Sequence, residues 1–235
     1  YIMLGLELEH FIYITPVLFV ITYLSAFEKG KPTCKRYLVN ALLYLLTSLS
    51  LYIATLSFPD LGIRLNSFPG MMFFIFIIIL IILVFTVKNI SLKHIILIVL
   101  IVSFAMMLKS IYDNYEEDDI YYTVLQTFIF LLIGTGIAYI KPNLFTDKRY
   151  IYLYLFFLLA FLSMILDYFI NGRRRKLWSY IFVIIFFLFI MFDMKTIFVH
   201  SKTCSPKNPP DYISVSYDIF IDLEFIMKNL LRINE

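Results

Sequence analysis

Few side chains in this 235-residue chain could carry chemistry, and most of the candidates are carboxylates. Asp193 closes an apolar run in the setting Met191-Phe192-Asp193-Met194-Lys195. Asp218 and Asp222 lie four apart in a later run, a spacing that puts both on one face of a helix. Glu224 and Lys228 repeat that spacing with the acid first, the favourable order for a local ion pair near a membrane boundary. An ionisable group at the centre of a membrane helix costs roughly 2.5 to 3.5 kcal/mol, so each acid in an apolar run is a candidate for function. If Asp193 meets Asp222 out of water, the two carboxylates repel when both are charged and hold one proton between them over part of the pH range. Such a pair binds a cation when ionised and closes as a hydrogen-bonded pair when one member is protonated. Hard cations prefer oxygen ligands, which suits carboxylates better than anything else in the chain.

The elements that must position these acids are set by composition. The chain is 61% hydrophobic and 16% charged, against about 25% charged in soluble domains. Twenty-five Phe and 18 Tyr against 7 Gly leave too few polar residues to cover a water-soluble exterior, which excludes a soluble globular enzyme. Cys34 and Cys204 both fall in polar connectors; two cysteines exclude a disulfide framework and a cysteine-rich metal site, and a pairing between them stays open with nothing to support it. The net charge of +3 is small, and the basic residues form no stripe interleaved with aromatic platforms, so no nucleic-acid partner is expected.

Uncharged runs near the length needed to cross a ~30 Å hydrocarbon core are Phe11 to Phe27, Tyr37 to Pro59, Leu65 to Val87, His94 to Leu108, Ile120 to Ile140, Tyr150 to Leu166 and Leu177 to Phe192. An eighth, Tyr212 to Ile233, carries the later acids. Backbone groups in lipid must be satisfied within their own segment, so these blocks are expected to be helices; no alternating pattern suggests a barrel. Lys29, Lys31, Lys35 and Arg36 follow the first block, Lys88 and Lys93 the third, Lys141, Lys148 and Arg149 the fifth, and Lys202 and Lys207 the seventh. Those connectors are expected on the cytosolic side. The connector after the fourth block is acidic (Asp113, Glu116, Glu117, Asp118, Asp119), while the cluster Arg173 to Lys176 runs against the rule.

The last block resembles the final helix of the Bax-inhibitor family, also called the transmembrane BAX inhibitor motif family. There a Ser precedes by six residues an Asp in a Leu-Tyr-Leu-Asp setting, and Leu-Leu-Arg closes the helix; Ser216, Asp222 and Leu230-Leu231-Arg232 fall in register. Phe192-Asp193 is similar to the Tyr-Asp closing the family's sixth helix. Val124-Leu125-Gln126-Thr127 and Thr146-Asp147-Lys148-Arg149-Tyr150 resemble its fourth and fifth helices. The resemblance implies an all-α membrane protein: a seven-transmembrane-helix bundle with a central C-terminal helix over residues 33–235, and an additional N-terminal hydrophobic segment over residues 1–32 whose topology stays open. It further implies a proton-sensitive calcium leak in the endoplasmic reticulum or Golgi membrane and inhibition of apoptosis. Asp193 and Asp222 are the gating and transient calcium-binding residues on this reading. Asp218 stands where the family is apolar and adds a third acid. Lys88 is the nearest equivalent of a basic latch residue, and the family's third-helix Glu has no counterpart in Val102 to Met106. Expected partners are membrane lipid, calcium as the conducted ion and cell-death regulators in the membrane; no tightly bound cofactor is expected.

Two other readings compete. A non-conducting membrane protein that binds cell-death regulators would need no ion pathway. An intramembrane aspartyl protease would also use two acids sharing a proton. However, Asp218 and Asp222 follow Tyr217 and Ile221, and their block has no glycine to supply that family's Gly-x-Gly-Asp. No enzymatic activity is therefore expected.

Overall fold

The computed structural model describes residues 10–28, 30–58, 68–172, 175–205 and 209–234. The start of the block at Leu65, Lys29, Arg173, Arg174, Pro206 and Lys207 lie outside the described residues. The chain is all-α: α1 (His10–Ala26), a two-residue hairpin of β1 (Phe27–Glu28) and β2 (Lys31–Pro32), α2 (Tyr37–Ser57), α3 (Phe68–Thr86), α4 (Ile90–Tyr112), α5 (Glu117–Ile140), a short 3-10 turn at Pro142–Leu144, α6 (Asp147–Asn171), α7 (Lys176–Thr203) and α8 (Tyr212–Asn234). Five helices, α2 and α4 to α7, are long and apolar enough to cross a membrane, as expected of an integral membrane protein. Helices α1 and α3 are apolar but shorter, and α8 carries too much charge to qualify.

Two compact units arise, one of residues 1–114 and 203–217, the other of residues 115–202 and 218–235. In the first, α1 reverses the polarity of a soluble helix. Its buried residues are Thr15, Thr22 and Ala26, whereas Tyr13, Val17 and Leu24 are exposed. The inward hydroxyls pair with α2: Thr15 Oγ1 with Ser50 Oγ at 2.7 Å, Thr22 Oγ1 with Thr47 Oγ1 at 2.8 Å, and Ser25 Oγ donating to Asn40 Oδ1 at 2.6 Å. Small polar residues are the usual glue between helices in lipid, each interhelical hydrogen bond contributing about 0.6 kcal/mol. At the far end of α2, Lys109 of α4 donates to the Leu56 carbonyl and pairs with Asp113 at 3.1 Å, satisfying a helix-terminal acceptor.

The same unit holds a covalent tie that the spacing of the cysteines did not reveal. Cys34 and Cys204 are disulfide-bonded across a separation of 170 residues, fastening the connector before α2 to the connector before α8. Beside it, Tyr212 donates its hydroxyl to the Thr33 carbonyl and accepts from Asn40 Nδ2.

In the second unit α6 has only Leu153 and Ala160 among its buried residues, and its exposed Leu, Phe and Tyr side chains present a face suited to lipid. Helix α7 runs antiparallel to α8. Phe186 stacks on Phe225 with centroids 4.6 Å apart, and Lys176 Nζ reaches the Ile233 carbonyl at 3.4 Å. Asp167 ties α6 to α7 by accepting from Trp178 Nε1 at 2.8 Å and pairing with Arg175 at 3.4 Å. Gly172, at φ +68°, closes α6 in the left-handed conformation that glycine tolerates.

Gly134 of α5 is a point of close approach to α7: a methyl group there would come within 3.3 Å of both Ile190 and Phe187. Gly136, two residues on, faces open space. Overpacking typically costs about 1 to 3 kcal/mol. Gly134→Leu is therefore expected to lower the unfolding temperature in detergent, while Gly136→Leu leaves it near that of the parent.

Candidate functional site

Asp193 and Asp222 are held by the antiparallel α7–α8 pair. The apolar run ends at Phe192, yet α7 continues ten residues past Asp193 to Thr203. Asp, Lys and Thr interrupt hydrophobicity without breaking a helix, and the Thr196 hydroxyl donates back to the Phe192 carbonyl at 3.0 Å. Asp193 is thus interior to its helix. Asp222 is too, ten residues after Tyr212, or about 15 Å along the axis.

The two carboxyl groups face each other between α7 and α8, within side-chain hydrogen-bonding reach. Carboxylate oxygens only accept, so a hydrogen bond between the two requires a proton on one of them. Asp222 is 8% exposed, and its Oδ2 has no hydrogen-bond partner among the described residues. Asp218 is exposed, one turn before Asp222 on α8, and acts electrostatically on both members of the pair. The Tyr150 hydroxyl feels all three acids, so three carboxyls and one phenol share a local field.

An aromatic collar sets this geometry. The Tyr150 ring packs edge-on against Phe189 and Phe192, at 5.8 and 5.4 Å, and Phe145 meets Phe192 at 5.2 Å. These contacts fasten the start of α6 to α7 beside Asp193, and Lys195 with Asp147 at 3.6 Å adds an ion pair between the same two helices. Tyr150 could not be singled out from the sequence, because a Tyr in the first turn of an apolar helix reads as a boundary residue.

Among the described residues no group of three or more His, Cys, Asp or Glu side chains is arranged to hold a metal ion. Two carboxyls fall short of the six to eight oxygens of a resident calcium site. Lys88 belongs to the first unit, where it is exposed beyond the end of α3 and lines a separate cavity. Glu224 is 2% exposed and lies two residues on from Asp222, about 200° round α8, with Lys228 one turn beyond it.

Comparison with protein-family models, with curated proteins and with solved structures finds no match.

Proposed function

We propose that this chain is a multi-pass membrane protein of the Bax-inhibitor type, with α8 as the central element of a seven-helix bundle, and that it acts as a proton-sensitive calcium leak. Its cellular consequence on this reading is inhibition of apoptosis from the endoplasmic reticulum or Golgi membrane. The observation that carries the proposal is the approach of the Asp193 and Asp222 carboxyls to within hydrogen-bonding reach, two helix-interior acids on different helices.

The mechanism follows from proton occupancy. With one proton on the pair, the hydrogen bond holds α7 against α8 and the pathway is closed. Removing that proton leaves two like charges, which repel and present oxygens to a cation. Flux therefore rises with pH. Asp218 adds negative charge at the same place and favours cation entry. The test is calcium flux into liposomes as a function of pH. The parent is expected to conduct more as pH rises, while Asp193→Asn and Asp222→Asn, which cannot share a titrating proton, lose that dependence. Unchanged pH profiles in both variants would remove the gate, and absence of flux from the parent at every pH would remove the leak.

A further inference from the structure

The first unit contains a second site built for a different ligand. A cavity of about 280 Å³ opens where the β1–β2 hairpin, the end of α3 and the starts of α4 and α8 come together. Lys88, Lys93, His94, Tyr44, Asp211 and Tyr212 give it its polar character. A smaller pocket of about 70 Å³ is apolar and lined by Phe19, Leu51, Leu97, Ile98 and Ile101. Tyr44 and His94 line both.

The charges in the larger chamber are partly spoken for, and what remains is cationic. Lys93 is 6% exposed; its ammonium pairs with Asp211 and donates to Ser214 Oγ at 2.8 Å. An ammonium has three N–H donors, so one is left. Asp211 is committed in turn, because its Oδ1 also accepts from the Ser214 amide at the start of α8. Lys88 adds a second, exposed cation at the rim. His94 contributes shape: its Nδ1 donates to the Ile90 carbonyl at 2.7 Å, which leaves Nε2 to accept from the Tyr44 hydroxyl. That bonded pair is common to the walls of both chambers.

Polarity is graded with depth. The polar chamber lies at the helix ends, within the first turns of α4 and α8, where Tyr side chains commonly mark the headgroup level. The apolar pocket lies further in, reaching Leu97 and Ile101, seven and eleven residues into α4. This is the order of a phospholipid in the surrounding leaflet, head outward and chain inward. The inner pocket of about 70 Å³ exceeds the roughly 10–15 Å³ that one water-sized group requires, enough to seat the start of one chain. Basic pockets between membrane helices are suited to anionic headgroups.

We propose that this pair of cavities binds one anionic phospholipid, its phosphate against Lys88 and the free N–H of Lys93 and the start of one acyl chain in the pocket behind Tyr44 and His94. The site is independent of the carboxyl pair. It is tested on the purified full chain in detergent by native mass spectrometry, with phosphatidylglycerol and phosphatidylcholine of identical chains and with soluble glycerol phosphate. Phosphatidylglycerol is expected to be retained about tenfold better than phosphatidylcholine. Lys88→Glu, a change at an exposed position, should abolish that preference, and Ile98→Trp, which fills the inner pocket, should weaken retention of phosphatidylglycerol. Equal retention of the two lipids, or a preference that survives Lys88→Glu, would overturn the proposal. Glycerol phosphate displacing phosphatidylglycerol at equal concentration would assign the chamber to a soluble phosphate and overturn the lipid. Calcium flux does not enter any of these readings, so the leak and the lipid site stand or fall separately.

Discussion

Asp193→Lys is expected to shut the pathway at every pH. In the proposed gate the parent's pair is held by a hydrogen bond that depends on a proton both carboxyls can lose. An ammonium in place of the Asp193 carboxyl faces Asp222 with opposite charge and has no such dependence. At about 4 Å and an effective dielectric near 20, opposite unit charges attract by about 4 kcal/mol, whereas a hydrogen bond to a charged group contributes about 1.5 to 3 kcal/mol. The difference of about 1 to 2.5 kcal/mol, at about 1.4 kcal/mol per factor of ten, favours the closed arrangement by roughly five- to sixtyfold. Calcium flux in liposomes should fall by a factor in that range and lose its rise with pH. Asp193→Asn separates charge from shape: it keeps a donor and acceptor beside Asp222 but neither the shared proton nor the ion pair, so its flux should be flat in pH and intermediate in size. A Lys variant that conducts like the parent, with the same pH profile, would show that Asp193 and Asp222 do not move apart during conduction. Monodisperse elution and parental helix content by circular dichroism establish that the variant is folded.

How far this arrangement could be read from the residues depends on what each signal measures. The apolar runs locate helices, and each of the eight corresponds to one over the described residues, but a run ends at the first charge and a helix does not. Helix α7 is the clearest example: the run stops at Phe192, whereas Asp193, Lys195, His200 and Lys202 are all helical. That difference moves Asp193 from the boundary to the interior, where an encounter with Asp222 is geometrically natural. Charge spacing singled out Asp222 because so few acids stand in apolar surroundings. It could not reveal Tyr150, whose part depends on α6 folding back on α7 through Phe145, Phe189 and Phe192. The Lys93–Asp211 pair is separated by 118 residues, and no local pattern announces such a contact. Nor do the lengths of the blocks decide how many cross the membrane. Helix α1 is 17 residues long, and α8 owes its lower hydropathy to the acids that make it interesting.

Reducing the Cys34–Cys204 bond is expected to lower the unfolding temperature substantially. The bond closes a loop of about 170 residues, for which loop-entropy arguments set a ceiling near 5 kcal/mol. Membrane helices that stay inserted on unfolding already restrict the denatured chain, so about 2 to 4 kcal/mol is the expected effect. For a chain of this size that is roughly 5 to 15 °C. Thermal unfolding in detergent with and without reductant measures it, and Cys204→Ser should show the lower temperature and no further response to reductant. The bond also bears on orientation. Disulfides persist in oxidising compartments, yet the basic residues around Cys34 and Cys204 assign both connectors to the cytosol. If the bond governs, those connectors face a lumen or the exterior, and the alternate connectors face the cytosol. The cluster from Arg173 to Lys176, which the first orientation left on the wrong side, then falls on the right one, while the acids from Asp113 to Asp119 count little in such a comparison. An N-glycosylation acceptor inserted between Thr203 and Tyr212 is expected to gain a glycan, and the same acceptor inserted between Asn171 and Lys176 is not. The opposite result, with both thiols free to alkylation in the cell, would restore the orientation drawn from the basic residues and deny the bond in the native protein.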